Sequence, residues 1–174
     1  MGFSYATCLG ELVRTVSGEE FKQAMSGLAG AVAVVTTSGP DGHHATTVSA
    51  LCSLSLDPPM VMLALANDSS LLSKARTSRR LGVNVLADHQ TDTAIVCARR
   101  DDDKMSDVDW YFHQDLPRIP GCGVWLSCEI IQEFPGGDHT IITAEVLEVD
   151  IDSSASPCIY FKRTFRALSP VSGF

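Results

Sequence analysis

Basic residues are scarce in this chain: 13 Lys and Arg stand against 21 Asp and Glu, for a net charge of −8 over 174 residues. Those few are scattered. A nucleic-acid surface needs clustered cations to neutralise phosphates, so that class is set aside. No apolar run approaches the roughly 20 residues of a membrane helix. The opening MGFSYATCLGELVRTV lacks a basic segment followed by an apolar one, so no secretory signal is expected. None of the six cysteines forms a C-x-x-C pair. His, Cys and carboxylates likewise show no metal-ligand spacing, which leaves zinc and thioredoxin-like chemistry without support. Reduced thiols in the cytoplasm are expected, most of them as small core residues. Also absent are G-x-G-x-x-G, a Walker A run and G-x-S-x-G. The corresponding dinucleotide, P-loop and α/β-hydrolase folds are therefore not indicated.

What remains is ordinary globular material: 45 % hydrophobic and 20 % charged residues, enough for one domain with a real core. Residues 1–16 read as an arm and 17–170 as the domain. Ser17 with Glu20 three residues on is a capping box, and Phe21, Met25 and Leu28 follow at helical spacing. Residues 31–38 form a β-branched strand, Gly39-Pro40-Asp41-Gly42 a turn, and 43–51 a returning strand. After Asp57-Pro58-Pro59, residues 60–66 are a buried strand. Asn67 to Ser70 opens a helix through Arg76, 81–87 is a strand and 90–98 a helix. The stretch 99–123, with its RRDDDK run, reads as an irregular, solvated loop. VWLSCEIIQEF and HTIITAEVLEVD then form a long hairpin, and CIYFKRTF a last short strand. About six strands with two or three helices fit a mainly β antiparallel barrel.

Five segments carry candidate chemistry, and each has an ordinary structural reading beside it. In 46–59, Thr46, Thr47, Ser49, Ser53 and Ser55 put hydroxyls near alternate positions. On one strand face they would hydrogen-bond a ring edge or a phosphate, or simply face solvent. Asn67, Ser69 and Ser70 stand at a helix mouth, where free N–H groups favour an anion, although a plain N-cap is commoner. Asn84 interrupts an apolar strand. Its buried amide needs partners, from backbone or from a ligand. In GGDHT, Asp138 is placed to orient His139, unless both are turn residues. YFKRTF pairs Tyr160 and Phe165 with Lys162 and Arg163, as a ring cover or as an edge strand.

In this order, FKQAMSGLAGAVAVVTT, TTVSALCSLSLDPPMVMLAL, SSLLSKAR, VNVLADHQ and GDHTIITAEV resemble the flavin reductase domain family, from about Phe21 to Phe165. The resemblance implies a six-stranded antiparallel split β-barrel with Greek-key connections and flanking helices. It also implies a homodimer that reduces FMN or FAD with NADH, NADPH being the lesser expectation. The reduced flavin would pass to a partner monooxygenase. Carried over by position, Thr47, Val48, Ser49 and Ala50 would contact the isoalloxazine, with Ser53, Leu54 and Ser55 alongside. Asn67, Ser69 and Ser70 would face the ribityl phosphate, and Asn84, Val85 and Leu86 the ring's other edge. His139, supported by Asp138, would hold the nicotinamide nucleotide in the catalytic site, with Phe165 or Tyr160 flanking it. The family often has an aromatic where Leu81 or Gly82 stands, which implies looser ring packing here. The cofactors supply the hydride chemistry, from nicotinamide C4 to flavin N5. A tight FMN-binding electron carrier without nicotinamide turnover is the alternative.

Overall fold

The computed structural model describes residues 15–100 and 104–168. The expected arm lies outside the described residues up to residue 14, as do the three aspartates of the RRDDDK run and the end of the expected domain. Helix α1, Gly18–Met25, opens as its sequence predicts: Glu20 N–H donates to Ser17 Oγ at 3.2 Å and Ser17 N–H to Glu20 Oε2 at 3.0 Å. Its apolar face finds no core, because no residue of α1 is buried.

Strands β1 (Gly30–Ala31), β2 (Ala33–Gly39), β3 (Gly42–Val48), β4 (Leu51–Leu56) and β5 (Pro59–Ala66) lead to helix α2 (Ser70–Ser78). Strand β6 (Arg80–Val85), helix α3 (Thr91–Cys97) and a 3₁₀ turn (Lys104–Asp107) follow. Then come β7 (Tyr111–His113), β8 (Leu116–Arg118), the long β9 (Val124–Gly136) and β10 (His139–Ile151), β11 (Ile159–Phe161) and β12 (Thr164–Arg166). Among the described residues the architecture is mainly β, with antiparallel sheets and three α-helices.

The main sheet has seven strands in the order β3-β2-β6-β9-β10-β5-β4, not the six expected. The extra strand comes from the 43–51 segment, which is not one strand. It breaks after Val48: β3 pairs with β2, and β4 pairs with β5 at the opposite edge. In a flat sheet those edges would lie about 29 Å apart, six spacings of about 4.8 Å. The link from Val48 to Leu51 reaches at most about 11 Å, three Cα steps of 3.8 Å. The sheet therefore curls until its edges come together at Ser49 and Ala50. No β3–β4 ladder closes it among the described residues.

Two further small sheets correct the reading. The 99–123 stretch carries the β7–β8 hairpin. CIYFKRTF is no single strand but two, turning at Lys162 and Arg163 and pairing with β1.

Strand β2 is buried on both faces and feeds two cores by its alternation. Ala33 and Val35 join Leu63, Leu71, Leu81 and Ile142 in the first, between the curled sheet and α2. Val34 joins Ala94, Cys97, Met105 and Cys158 in the second, under α3. Each fully buried Leu contributes about 1.5–3 kcal/mol. Cys97, Cys122, Cys128 and Cys158 are buried and free, and Cys52 is exposed. No helix among the described residues is long and apolar enough to cross a membrane.

Candidate functional site

The sheet's corner is where the chemistry-bearing residues gather. A cavity of about 210 Å³ is lined by Thr46 to Ala50 at the end of β3, by Ala66 and Ser69 after β5, and by His139 at the start of β10. A second cavity of about 460 Å³ shares Thr46, Ala66 and Ser69 with it and adds Ser70, Arg99, Arg100 and Lys104. A third, of about 350 Å³, shares Thr47, Val48 and Ser49 and adds Tyr160, Arg163 and Phe165. The three meet around Thr46 to Ser49, at the end of β3.

The basic wall of the second cavity was hidden in the sequence, where it reads as a solvated charge run. Helix α3 ends at Cys97 and delivers Arg99 and Arg100 beside the mouth of α2. Lys104 is 7 % exposed and is pinned there, its Nζ donating to Arg99 O at 2.8 Å and Cys97 O at 3.2 Å. Ser69 caps α2 by position but makes no side-chain capping bond. Two hydroxyls, a helix N-terminus and two exposed arginines line one space, with Asp68 also on its wall and the Lys104 ammonium turned to backbone carbonyls behind it; the balance fits a phosphate. Arg99 and Arg100 also pair with Asp107 and Asp68, at 2.9 and 3.4 Å. Both pairs are exposed, and exposed pairs of this kind exchange partners at little cost.

Asn67 does not face that phosphate space. Its Nδ2 donates to Gly137 O at 3.1 Å, and its Oδ1 accepts from Thr140 Oγ1 at 2.8 Å. Its backbone N–H donates to Asp138 O at 3.0 Å. Asn67 therefore ties the β9–β10 turn to the end of β5, which brings His139 to Ser69. In that turn Gly137 has φ 75°, a conformation glycine adopts without strain. Asp138 Oδ1 lies 2.7 Å from His139 Nδ1. That bond and the imidazole's charge hold the Asp138 carboxyl below the usual carboxylate range. The bond engages Nδ1, and His139 itself lines the first cavity.

Other expected contacts are placed differently. Thr47 lines the first and third cavities, but its hydroxyl donates to Ala94 O at 2.7 Å and anchors α3. Asn84 is fully buried and satisfied within the protein. Its Nδ2 donates to Val34 O at 3.1 Å, and its Oδ1 accepts from Ile119 N at 2.8 Å. Of the two readings its sequence allowed, the backbone one holds. Leu86 belongs to the second core and Val85 packs on the first, so this trio lines none of the three cavities. Ser53, Leu54 and Ser55 sit on edge strand β4, outside the same cavities. Leu81 is fully buried, and a side chain at Gly82 would meet Thr36 Oγ1 at 2.5 Å. Neither position lines the three cavities. Tyr160 and Phe165 are cross-strand partners with ring centroids 5.2 Å apart, and they flank the third cavity.

A curled antiparallel sheet with an anion pocket beside an Asp–His pair and an aromatic pair defines a protein built to hold a planar, phosphate-bearing ligand. The chain belongs to the flavin reductase like domain family, whose model matches residues 25–169. It is 29 % identical over 151 residues to the reductase component of a Rhodococcus opacus 4-nitrophenol 4-monooxygenase/4-nitrocatechol 2-monooxygenase, covering 87 % of this chain and 81 % of the relative. An NADH-dependent flavin reductase from a Rhodococcus species is 28 % identical, covering 91 % of both chains. The solved structure of a Streptomyces globisporus NADH:FAD oxidoreductase, in complex with NAD and FAD fragments, superposes with a TM-score of 0.87. It is 26 % identical and covers 94 % of this chain and all of that one.

Proposed function

We propose that the chain is an NADH-dependent flavin reductase that works in the cytoplasm as a homodimer and supplies free reduced FMN or FAD to a separate monooxygenase. One observation carries the reading: Thr46 to Ala50, Ser69 and His139 line a single cavity, next to a second that Arg99 and Arg100 line. The residues fit a flavin. Ser69, Ser70, Arg99 and Arg100 would hold its phosphate, and the Val48–Ala50 corner would carry its ring. Ser49 and Ala50 belong to neither sheet ladder. Their amides are therefore placed to steady negative charge at the ring's N1–O2 edge. The bound pair supplies hydride transfer from nicotinamide to flavin.

The protein's own work is positioning. His139, oriented by Asp138, holds the nicotinamide nucleotide, and Tyr160 and Phe165 keep water from one side of it. The active unit is the 17–170 domain, with the curled sheet as a split barrel in Greek-key order. The exposed apolar Phe21 and Met25 of α1, Leu28 just after it, and Leu56 of edge strand β4, 93 % exposed, support a second copy covering them. Free cysteines suit a reducing compartment.

The test is anaerobic NADH oxidation with FMN and FAD added in turn. Protein-dependent turnover that saturates with free flavin is the expected result. Tight flavin binding with no NADH consumption would instead make the chain an electron carrier and remove His139 from its role.

A further inference from the structure

A fourth cavity, of about 610 Å³, lies beyond the three described above and is lined by Asp41, His43, Ser70, Lys74 and Trp110 among others. Its volume falls in the range of about 300–1,000 Å³ typical of small-molecule sites. It meets the phosphate cavity at Ser70, which lines both. Strand β3 and the residue after it thus run past these compartments in turn: Gly42 to His44 at this cavity, Thr46 at the phosphate cavity, and Thr47 to Ser49 at the ring corner. His43 and Ser49 are about 20 Å apart along an extended strand. That is room for a ligand that continues well beyond its first phosphate.

The far end is aromatic, with an ion pair beside it. The Trp110 and His43 rings lie 4.9 Å apart at 55°, and Phe112 closes on both, edge-on to each at 4.9 and 5.1 Å. Trp110 Nε1 donates to Met105 O at 3.1 Å, which fixes the indole. Asp41 and Lys74 pair at 2.6 Å, and Lys74 keeps the Asp41 carboxyl below its ordinary pKa. A ribose diol can donate to that carboxylate, and Lys74 lines the same cavity as Ser70.

Resting on the flavin reading above, we infer that the cavity walled by Trp110, His43 and Asp41 receives the adenosine end of FAD, so that this chain prefers FAD to FMN. An FMN would end at the phosphate cavity and leave this one without contact. Adenine stacked on the Trp110 indole is worth about 1–3 kcal/mol by alanine substitution, or about 5- to 150-fold in affinity.

Fluorescence titration of the whole protein with FAD and with FMN tests this, together with competition by free adenosine. FAD should bind about tenfold or more tighter than FMN, and adenosine should displace FAD but not FMN. Trp110→Ala should cut FAD affinity about tenfold and leave FMN within about twofold, while Trp110→Phe keeps most of the preference. Equal affinity for the two flavins in the wild type overturns the inference, whether or not the alanine variant folds. So does an alanine variant that weakens both flavins alike. FMN binding and turnover equal to those with FAD would sink the adenosine site alone. Binding of neither flavin would sink the flavin reading itself.

Discussion

Asn67→Ala separates two accounts of one residue. By position Asn67 is expected on the flavin phosphate; in the structure its side chain is spent on the turn that carries His139. The substitution removes the bonds to Gly137 O and Thr140 Oγ1, at 3.1 and 2.8 Å, and keeps the backbone bond to Asp138 O. Net hydrogen bonds contribute about 0.5–1.5 kcal/mol each. Asn67 is exposed, so water replaces part of the loss, and unfolding free energy should fall by about 1 kcal/mol. The functional effect should exceed that. Freed of its clamp, the turn lets the Asp138–His139 pair drift from the first cavity. KM for NADH should then rise about 5- to 10-fold while the flavin Kd stays within about twofold, an effect of about 1–1.4 kcal/mol confined to the nucleotide. Flavin Kd comes from fluorescence quenching, KM from NADH absorbance and stability from urea titration. A tenfold loss of flavin affinity with an unchanged NADH KM would refute the reasoning and return Asn67 to the phosphate.

Arg163 has φ 62° after Lys162 at φ 50°, in a two-residue turn that favours Asn-Gly; each left-handed side-chain residue costs about 1–2 kcal/mol. Arg163→Gly should therefore stabilise the fold by about 0.5–1 kcal/mol yet raise KM for NADH, because Arg163 walls the third cavity; an unchanged KM would remove it from the site. Gly82→Ala would press a methyl against Thr36 Oγ1, which donates to Pro117 O at 2.7 Å. It should cost about 2–3 kcal/mol in urea unfolding, and a loss under about 0.5 kcal/mol would show that the contact relaxes freely. Burial pushes the Cys97 and Cys128 thiols up to about 11 and about 12, and raises Cys122 as well. These stay protonated and inert at neutral pH, so alkylation mapped by mass spectrometry should mark Cys52 alone among the described cysteines until the protein unfolds. Rapid labelling of Cys97 in the folded protein would contradict this.

Local signals read well from sequence because their physics is local. The Ser17–Glu20 box spans three residues, and the Gly39–Gly42 turn announces itself by composition. Turns that use left-handed residues other than glycine do not. Gln114 and Asp115 at the tip of β7–β8 have φ 49° and 62°, as Lys162 and Arg163 do in the last hairpin. In both places the usual Gly or Asn mark is missing, so the sequence reads as a loop in one and as a single strand in the other. Asn84 shows the limit at a single residue. Burial demanded partners, but whether Val34 O and Ile119 N or a ligand would supply them depends on how β2 and the 119–122 segment pack.

The corner at Ser49 and Ala50 shows why the site as a whole was harder to see than its parts. A strand running 43–51 places Thr47 and Ser49 on one face as equals. The break gives them different work: Thr47 turns its hydroxyl to Ala94 O to seat α3, while Ser49 and Ala50 fall outside both ladder registers, with Ala50 O still accepting from Ala64 N at 3.0 Å. Nothing between Val48 and Leu51 announces a break, because its cause lies elsewhere. Strand β4 pairs with β5, and β5 is held by β10 on its other side. The chain must leave β2 to reach that edge, and the curl of seven strands leaves two residues to do it. Backbone amides outside a ladder, at a curled edge, next to a helix mouth and a hairpin tip, are what a flat anionic ligand needs. The same crossing that ends the pairing therefore builds the site. His139 belongs to it only because β10 lies beside β5, a neighbourhood set by a residue separation of about seventy that no local pattern records.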